Sequence, residues 1–311
     1  MQSREQSYGS GVFFVLLATV GWSLSGIFVR LMPGLDGWQI NCWRGYWAGI
    51  ALLIYLVSKY GRGTLRKFTE IPKVALISSA LFFAVGSTLY VSSLTMVSTA
   101  TVSVIGATSP LFAGLLSPWA TGERAGPEAW VAAGLALCGV SIIAWDGLEA
   151  GRWLGLILSI GVPILFAAQT LALRRYRDID MVPSICVGGF LSFLLAGFLG
   201  FTAGHVGGGF NVGLREVLLL GAMGPLQLAI PLLFYVKGAY SVPAVTLTLI
   251  SMLDAVINPF WPWIFVGERP GRAAFIGGGI IIGAVLISIF GRMLLQSRLP
   301  KSDLEISEKA A

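Results

Sequence analysis

Two ionisable side chains lie inside long apolar stretches of the sequence, and the first is Asp254. Ser251, Asn258 and Trp261 are spaced so that all four residues share roughly one face of a helix. Placing a charge among apolar groups is costly, so such a residue is a functional candidate. This face is suited to binding an ammonium group or to carrying a proton. The alternative is a structural carboxylate that hydrogen-bonds a neighbouring helix.

Arg44 is the second such residue, and Asn41 lies on the same helical stripe. A guanidinium suits a substrate carboxylate. Snorkelling outward or pairing with Asp36 would explain it equally well. Gln169 and Gln227 are uncharged polar groups in apolar stretches, where interhelical hydrogen bonds and substrate contact are equal alternatives.

The composition identifies the medium that surrounds these groups. Apolar residues make up 56% of the 311 residues and charged residues 12%, against about 25% charged in a typical soluble domain. A bilayer-spanning helix needs about 20 mostly apolar residues, and this chain has many such segments with short polar joints. The sequence therefore predicts an all-α integral membrane protein.

We predict ten membrane helices, because only helices and closed barrels satisfy the backbone in lipid and the alternating polarity of barrel strands is absent. The first segment is too long for a signal-peptide core, so we retain it as a helix. The predicted segments are Gly9–Met32, Gly37–Ser58, Pro72–Thr95, Thr99–Trp119, Ala129–Trp145, Arg152–Arg174, Val182–Gly204, Leu214–Val236, Val242–Val266 and Ala273–Leu294.

Lysine and arginine indicate the orientation of these helices. With the N-terminus in the cytoplasm, 15 of the 21 Lys and Arg residues fall in cytoplasmic segments, five fall outside and Arg44 lies within a helix. This asymmetry predicts that both termini are cytoplasmic in a multi-pass protein of the bacterial inner membrane. The net charge of +6 is then explained by topology and anionic lipid, and we expect no nucleic-acid partner.

Enzymatic, metal and cofactor motifs are missing from the sequence. Cys42, Cys138 and Cys186 are far apart and make neither metal nor disulfide spacing. The lone His205 lies in a glycine-rich loop. No catalytic triad, Walker loop, HExxH or dinucleotide fingerprint occurs. We therefore expect no enzymatic activity, no cofactor and no metal.

An internal repeat organises the chain. At an offset of 145, Tyr90 matches Tyr235, Thr101 matches Thr246, and the triplet Gly-Glu-Arg at 122–124 matches the same triplet at 267–269. Near the start of each half the offset is 144, which pairs Trp22 with Phe166, Ser25 with Gln169 and Arg30 with Arg174. The sequence thus predicts two five-helix units, residues 1–149 and 150–294, followed by a polar cytoplasmic tail at 295–311.

The odd number of helices in each unit decides how the two units lie in the membrane. The second unit is inverted relative to the first, because its first helix starts on the opposite side. Inverted repeats that hold substrate between them near the midplane are typical of secondary transporters. We therefore predict transport by alternating access at a central cavity.

The two segments that end in Gly-Glu-Arg, residues 89–124 and 234–269, resemble the paired EamA repeats of the drug/metabolite transporter superfamily. Within it the chain is most similar to the YddG-type exporters of aromatic and other amino acids. That resemblance implies export of amino acids and a cavity walled by Trp22, Tyr90, Tyr235 and Trp261. The family often has a Glu-Pro pair where this chain has Ser109-Pro110 and Asp254-Ala255.

These considerations define the candidate site and the expected activity. We expect export of small metabolites, foremost amino acids, with export of lipophilic cations or drugs and a channel-like pore as alternatives. Glycine-rich faces on the fifth and tenth helices predict scaffold packing or a homodimer contact. The candidate substrate-binding residues are Trp22, Ser25, Asn41, Arg44, Tyr90, Thr101, Gln169, Gln227, Tyr235, Ser251, Asp254, Asn258 and Trp261.

Overall fold

The computed structural model describes residues 8–32, 34–96, 102, 105–144, 153–202, 204, 206–257, 261, 264–265 and 272–298. The regular elements in these ranges are helical, and none of them is a strand. They are α1 (Tyr8–Ser23), α2 (Ser25–Arg30), α3 (Gly37–Tyr60), α4 (Thr64–Glu70), α5 (Lys73–Met96), α6 (Ser109–Ala120), α7 (Pro127–Ala144), α8 (Trp153–Arg175), α9 (Val182–Thr202), α10 (Leu214–Met223), a π-helix (Gly224–Ala229), α11 (Ile230–Ala239), α12 (Ala244–Ser251), α13 (Asp254–Ile257) and α14 (Arg272–Arg298).

The lengths of these helices confirm a multi-pass membrane protein. Six helical stretches are long and apolar enough to cross a bilayer, namely Tyr8–Val29, Gly37–Glu70, Lys73–Ser93, Ile157–Arg175, Val182–Thr202 and Leu214–Ala239. Three shorter apolar helices are Pro127–Ile142, Ala244–Ile257 and Phe275–Ser288. The all-helical class is confirmed, while the count of ten spans and their orientation stay predictions.

Several predicted segments are interrupted in the structure, including the fourth, where residues 107 and 108 form a turn before α6. The first breaks between α1 and α2, where the Ser23 hydroxyl donates to the Val20 carbonyl at 2.7 Å, a side-chain bond that competes with the helical backbone. The eighth changes from α10 through the π-helix to α11. Pro225 and Pro231 lack a backbone N–H there, so the regular bonding pattern cannot run through.

The break in the ninth predicted segment matters most for the site. α12 ends at Ser251 and α13 begins at Asp254. Between them the Met252 N–H bonds to Leu249 O at 3.1 Å, and the Ala255 N–H bonds to Met252 O at 3.0 Å. These three-residue turns tighten the chain locally, as in a 3₁₀ helix. Asp254 therefore stands at a break between two helices.

The helix packing is internally symmetric. When each helix is replaced by its repeat partner in the other half, the pairs of helices that contact each other stay the same. α3 packs along α9, and α7 packs along α14. α5 packs on α8, and the equivalent pair in the exchanged halves is α11 on α1. α6 packs on α8, and the equivalent pair is α13 on α1. α3 starts at residue 37 and α9 at residue 182, which are 145 positions apart. The sequence repeat is thus reflected in the helix packing and in this pair of helix starts.

Glycines allow the closest of these approaches. A Cβ built on Gly45 in α3 would lie 2.9 Å from the Gly189 carbonyl oxygen in α9, and one on Gly189 would lie 3.0 Å from the Gly45 carbonyl oxygen. A Cβ on Gly139 in α7 would lie 2.7 Å from the Gly277 carbonyl oxygen in α14. Small residues at such contacts bring membrane helices together.

Candidate functional site

A cavity of about 250 Å³ lies among the helices of both halves. Its lining is mostly apolar and aromatic, with a small number of polar groups, which is the usual character of a small-molecule site. The residues that line it are Trp22, Arg44, Phe82, Phe83, Gly86, Ser87, Tyr90, Val102, Gly106, Ala107, Ser109, Val140, Val162, Pro163, Leu165, Phe166, Gln169, Leu173, Gln227, Leu228, Leu232, Tyr235, Thr248, Ser251, Met252, Asp254 and Ala255.

Most of the residues that the sequence nominates meet at this cavity. Those that line it are Trp22, Arg44, Tyr90, Gln169, Gln227, Tyr235, Ser251 and Asp254. Ser25, Asn41 and Trp261 are described but lie behind the lining. Thr101 and Asn258 lie outside the described residues.

Arg44 is buried in α3 and is held by polar side chains from neighbouring helices. One Nη atom donates to Gln227 Oε1 at 3.3 Å, and the other donates to Asn41 Oδ1 at 3.0 Å and to Ser87 Oγ at 2.6 Å. Its Nε is buried and has no hydrogen-bond partner within the described ranges. The structure thus rejects both snorkelling and pairing with Asp36. Arg44 points inward, and no carboxylate neutralises it among the described residues.

Asn41 orients Arg44 from behind and is itself fully buried. Its Oδ1 accepts from Ser87 Oγ at 2.8 Å as well as from Arg44. Its Nδ2 donates to Thr88 Oγ1 at 3.0 Å and to Ser192 Oγ at 2.9 Å. The amide therefore has all its hydrogen-bonding capacity committed and ties α3 to α5 and α9.

Asp254 brings a carboxylate to the same cavity. Its Oδ1 is buried and accepts no hydrogen bond from the residues that the structure describes. Ser251, one turn earlier, lines the cavity too, but its hydroxyl donates to the Leu247 carbonyl at 2.9 Å. The predicted fourth member of this face, Trp261, donates its indole N–H to Ser23 Oγ at 2.7 Å. It fixes the entry to α2 and is not part of the lining.

Aromatic rings form one wall of the cavity. The Trp22 ring centroid lies 5.0 Å from that of Tyr235 and 6.0 Å from that of Phe166, and the Phe166 and Tyr235 centroids are 5.8 Å apart. The Tyr235 hydroxyl is 2.7 Å from Thr170 Oγ1. With its hydroxyl so engaged, Tyr235 offers mainly its ring face to a ligand.

The two glutamines take different parts in the site. Gln227 accepts from Arg44 and donates to the Trp22 carbonyl at 3.2 Å, so it joins the guanidinium to α1. Gln169 donates to Ser79 Oγ at 3.1 Å, whereas its Oε1 is buried without a hydrogen-bond partner in the described part of the chain. Both glutamines therefore form interhelical hydrogen bonds, and the Oε1 atom of Gln169 is available as a further hydrogen-bond acceptor.

Two lining residues were missed by the sequence analysis although a signal for each was present. Ser87 lies three residues before Tyr90 and so on the same face of α5. Phe166 is the repeat partner of Trp22. Neither position carries a charge or breaks a pattern, which is why neither was nominated.

Apolar helices that enclose a cavity with charged, amide and aromatic groups define this chain as a membrane transporter of small molecules. The chain belongs to the EamA-like transporter family, whose sequence profile matches residues 9–145 and again 153–290. The two matches fall on the two halves of the repeat. Membership in this family points to transport rather than to catalysis.

Relatives extend over most of the chain. An uncharacterized transporter, YdfC, of Bacillus subtilis is 25% identical and covers 83% of this chain and 84% of its own length. The S-adenosylmethionine uptake transporter of Rickettsia felis is 23% identical over 97% of this chain and 100% of its own length. The riboflavin transporter of Rhizobium johnstonii is 24% identical over 91% and 92%. Transport is the activity that these names share, and two of them name a small molecule.

One solved crystal structure has the same fold. It superposes with a TM-score of 0.77, is 18% identical, and covers 94% of this chain and 100% of its own. At this identity the likeness concerns the fold alone.

Proposed function

We propose that this protein is a secondary transporter that exports small metabolites, foremost amino acids including aromatic ones, through the cavity described above. One observation carries the proposal. Arg44 and Asp254 both line the cavity, and neither has an ion-pair partner among the described residues. Two opposite charges that are kept within a membrane and are not used to neutralise each other are typical of a binding site.

A zwitterionic amino acid complements these two charges. Its carboxylate suits the Arg44 guanidinium, and its ammonium group suits the Asp254 carboxylate. The rings of Trp22, Phe166 and Tyr235 provide a surface on which an aromatic side chain stacks. Tyr90 lines the same cavity as Arg44 and Asp254, so one ligand in this cavity can meet both charges.

We infer that the cavity works by alternating access between two inverted repeats, residues 1–149 and 150–294, followed by the tail at 295–311. Ten membrane helices with both termini in the cytoplasm of a bacterial inner membrane complete this proposal. It is supported by helix packing that is equivalent in the two halves and by the starts of α3 and α9, which are 145 residues apart. Repeats of this kind let one half rock against the other around a fixed site.

The relatives do not identify which substrate with charged and aromatic groups this protein carries. S-adenosylmethionine, carried by one of them, is an amino acid joined to an aromatic base, and riboflavin contains a large aromatic ring system. Both fit an aromatic wall, and the first also fits a pair of opposite charges. The likeness to YddG-type exporters favours export and ordinary amino acids. That choice of direction and substrate is our proposal.

Lipophilic cations are the second candidate, because Asp254 and the aromatic wall would bind an organic cation without using Arg44. A channel-like pore is the third. It differs from a carrier because it cannot exchange bound substrate on one alternating site.

Counterflow in proteoliposomes tests all three. We expect labelled phenylalanine, tryptophan and threonine to accumulate transiently against unlabelled amino acid, with no ion gradient imposed. Uptake of an organic cation without amino-acid counterflow would indicate that the substrates are lipophilic cations and not amino acids. Entry that equilibrates without saturation or counterflow would indicate a pore.

The role of Arg44 can be separated from general damage with a matched pair of substrates. We expect Arg44→Gln to reduce phenylalanine counterflow by roughly tenfold, the scale of one charged hydrogen bond. Phenethylamine, which lacks the carboxylate, should compete equally well with both proteins. Arg66→Gln removes a charge from a side chain that is 83% exposed and serves as the control. If Arg44→Gln weakens the binding of phenylalanine and of phenethylamine equally, Arg44 does not recognise the substrate carboxylate.

A further inference from the structure

A buried ion pair lies at one end of the bundle, away from Arg44 and Asp254. Arg174 Nε, near the end of α8, is 2.6 Å from Glu123 Oε1, and the two side chains are 6% and 11% exposed. Glu123 belongs to the Gly-Glu-Arg triplet that follows α6, while the second copy of that triplet lies outside the described residues. The function proposed above makes no use of this pair.

A second ion pair near the same end provides a contrast. Lys59 Nζ is 2.9 Å from Asp180 Oδ2, but the lysine side chain is 42% exposed. Burial by itself would raise the pKa of Asp180, yet hydrogen bonds from Tyr60 and Lys59 hold it below its usual range. An exposed pair of this kind contributes little to holding helices together. The Glu123–Arg174 pair is shielded from water, so its rupture has a larger effect.

Arg174 joins three helices at once. Besides Glu123, which follows α6, its Nη1 donates to the carbonyl oxygens of Ala239 at 3.0 Å and Tyr240 at 2.8 Å, at the end of α11. Arg175 adds a hydrogen bond to the Ala120 carbonyl, the last residue of α6. The ends of α6, α8 and α11 are therefore tied to one another through a pair of adjacent arginines.

This tie lies directly beyond the cavity. Leu173 lines the cavity and immediately precedes Arg174, and Tyr235 lines it one turn before Ala239. A solute leaving the cavity toward this end must pass between helices that the guanidinium holds together. In the orientation proposed above, this is the cytoplasmic end.

The pair is built so that it can part. Glu123 Oε2 is buried and has no hydrogen-bond partner in the described part of the chain. Leaving a buried acceptor unsatisfied costs free energy, and that cost disappears when water reaches the carboxylate. Both charges lie at helix ends, where hydration is available once the helices separate. The closed arrangement is thus stabilised by the ion pair and opposed by the unsatisfied oxygen.

We infer that Glu123 and Arg174 form a cytoplasmic lock, closed in the state described here and parted when the cavity opens to the cytoplasm. This inference rests on the proposed alternating-access function and orientation. It does not depend on which substrate is carried.

Accessibility of a reporter cysteine in the cavity tests the lock without any substrate. Thr248, a fully buried lining residue of α12, is replaced by cysteine in the full-length chain, and the exposed Cys138 is replaced by serine. A membrane-impermeant maleimide is applied to right-side-out and to inside-out vesicles. We expect Glu123→Gln and Arg174→Gln each to increase labelling from the cytoplasmic side by roughly tenfold and to decrease it from outside. Arg66→Gln should change neither.

Three results would overturn the inference. They are unchanged cytoplasmic labelling in a folded variant, an equal increase from both sides, which indicates a loosened protein, and an increase from outside only. The double exchange Glu123→Arg with Arg174→Glu restores the charge pair but not the bonds to Ala239 and Tyr240, so we expect intermediate labelling. Cytoplasmic labelling as high as in the single variants would show that the ion pair does not hold the cytoplasmic side closed. Missing amino-acid counterflow alongside the expected labelling would reject only the substrate.

Discussion

At the scale of single residues, the two charged groups of the cavity differ in how many hydrogen bonds surround them. Arg44 is surrounded by amide and hydroxyl oxygens of Asn41, Ser87 and Gln227, which stabilise the guanidinium by dipoles and leave its net charge in place. Asp254 lacks such a shell on Oδ1 among the described residues. A buried carboxylate in that condition gains from any cation that reaches it. A ligand therefore adds a counter-charge to an Arg44 that already has hydrogen bonds, whereas it supplies the missing partner of Asp254 Oδ1.

We expect Asp254→Asn to reduce amino-acid counterflow by about tenfold or more, because the side chain keeps its size but loses the charge that binds the ammonium group. The measurement is the initial rate of counterflow, with monodispersity in detergent as the check of folding. Glu70→Gln, which removes a carboxylate from α4, should leave the rate unchanged. Full activity of Asp254→Asn across a range of pH would exclude Asp254 from the mechanism.

At the scale of helices, backbone contact through glycine sets the distances between elements. The Gly139–Gly277 approach brings α7 against α14, and Gly45 with Gly189 brings α3 against α9. None of these glycines lines the cavity, but their contacts position the helices that carry the lining residues Arg44 and Val140. The glycine-rich faces of the fifth and tenth predicted helices therefore pack against each other within one chain. A homodimer contact through the same helices stays a prediction.

Gly139→Ala tests this packing. The new Cβ would meet the Gly277 carbonyl oxygen at 2.7 Å and the Ile281 side chain at 2.8 Å, so we expect a loss of about 1–3 kcal/mol of stability and a lower Tm in detergent.

Gly134→Ala is the matched control on the same helix, because a Cβ there meets no atom within 4 Å. Alanine also favours the helix over glycine, so this control should hold or raise the Tm. A shift of the same sign and size in both variants would show that the tight contact is not what stabilises the pair.

At the scale of the whole molecule, the exchange symmetry of the packing links the two ends of the cavity. Helices from both halves line it, including α1, α5, α8, α11 and α12. Under the proposed alternating access, movement of one half against the other would change every wall together. Tyr90 and Tyr235, which are repeat partners, both line the cavity and would report on this movement.

We expect cysteines placed at Tyr90 and at Tyr235 to react at different rates with and without saturating phenylalanine, because bound substrate covers them and shifts the population of access states. The rates are measured with a membrane-permeable thiol reagent on full-length protein that carries Cys138→Ser. A cysteine at Arg66, on α4, should react equally in both conditions. If substrate leaves both cavity cysteines unaffected, the two tyrosines serve only as wall packing.

The amino-acid sequence alone is enough to predict the membrane class, the helical content and the repeat, and to nominate Arg44 and Asp254 as candidate site residues. Each of these follows from composition, period or spacing, which require no knowledge of neighbours. It also located Trp22 and Tyr235 as aromatic candidates. The break between α12 and α13 did not follow, because the apolar run continues through Met252 and Leu253 without a proline or glycine.

Only the tertiary structure decided which side chains meet. Asn41 holds Arg44 in place, Trp22 contacts Tyr235 across 213 positions of sequence, and Glu123 pairs with Arg174 across 51. Such pairings depend on how each helix is rotated about its axis. Hydropathy does not encode that rotation in a membrane protein, because lipid and the protein interior are equally apolar. Polar contacts between helices fix the rotation, and they exist only once the helices are assembled.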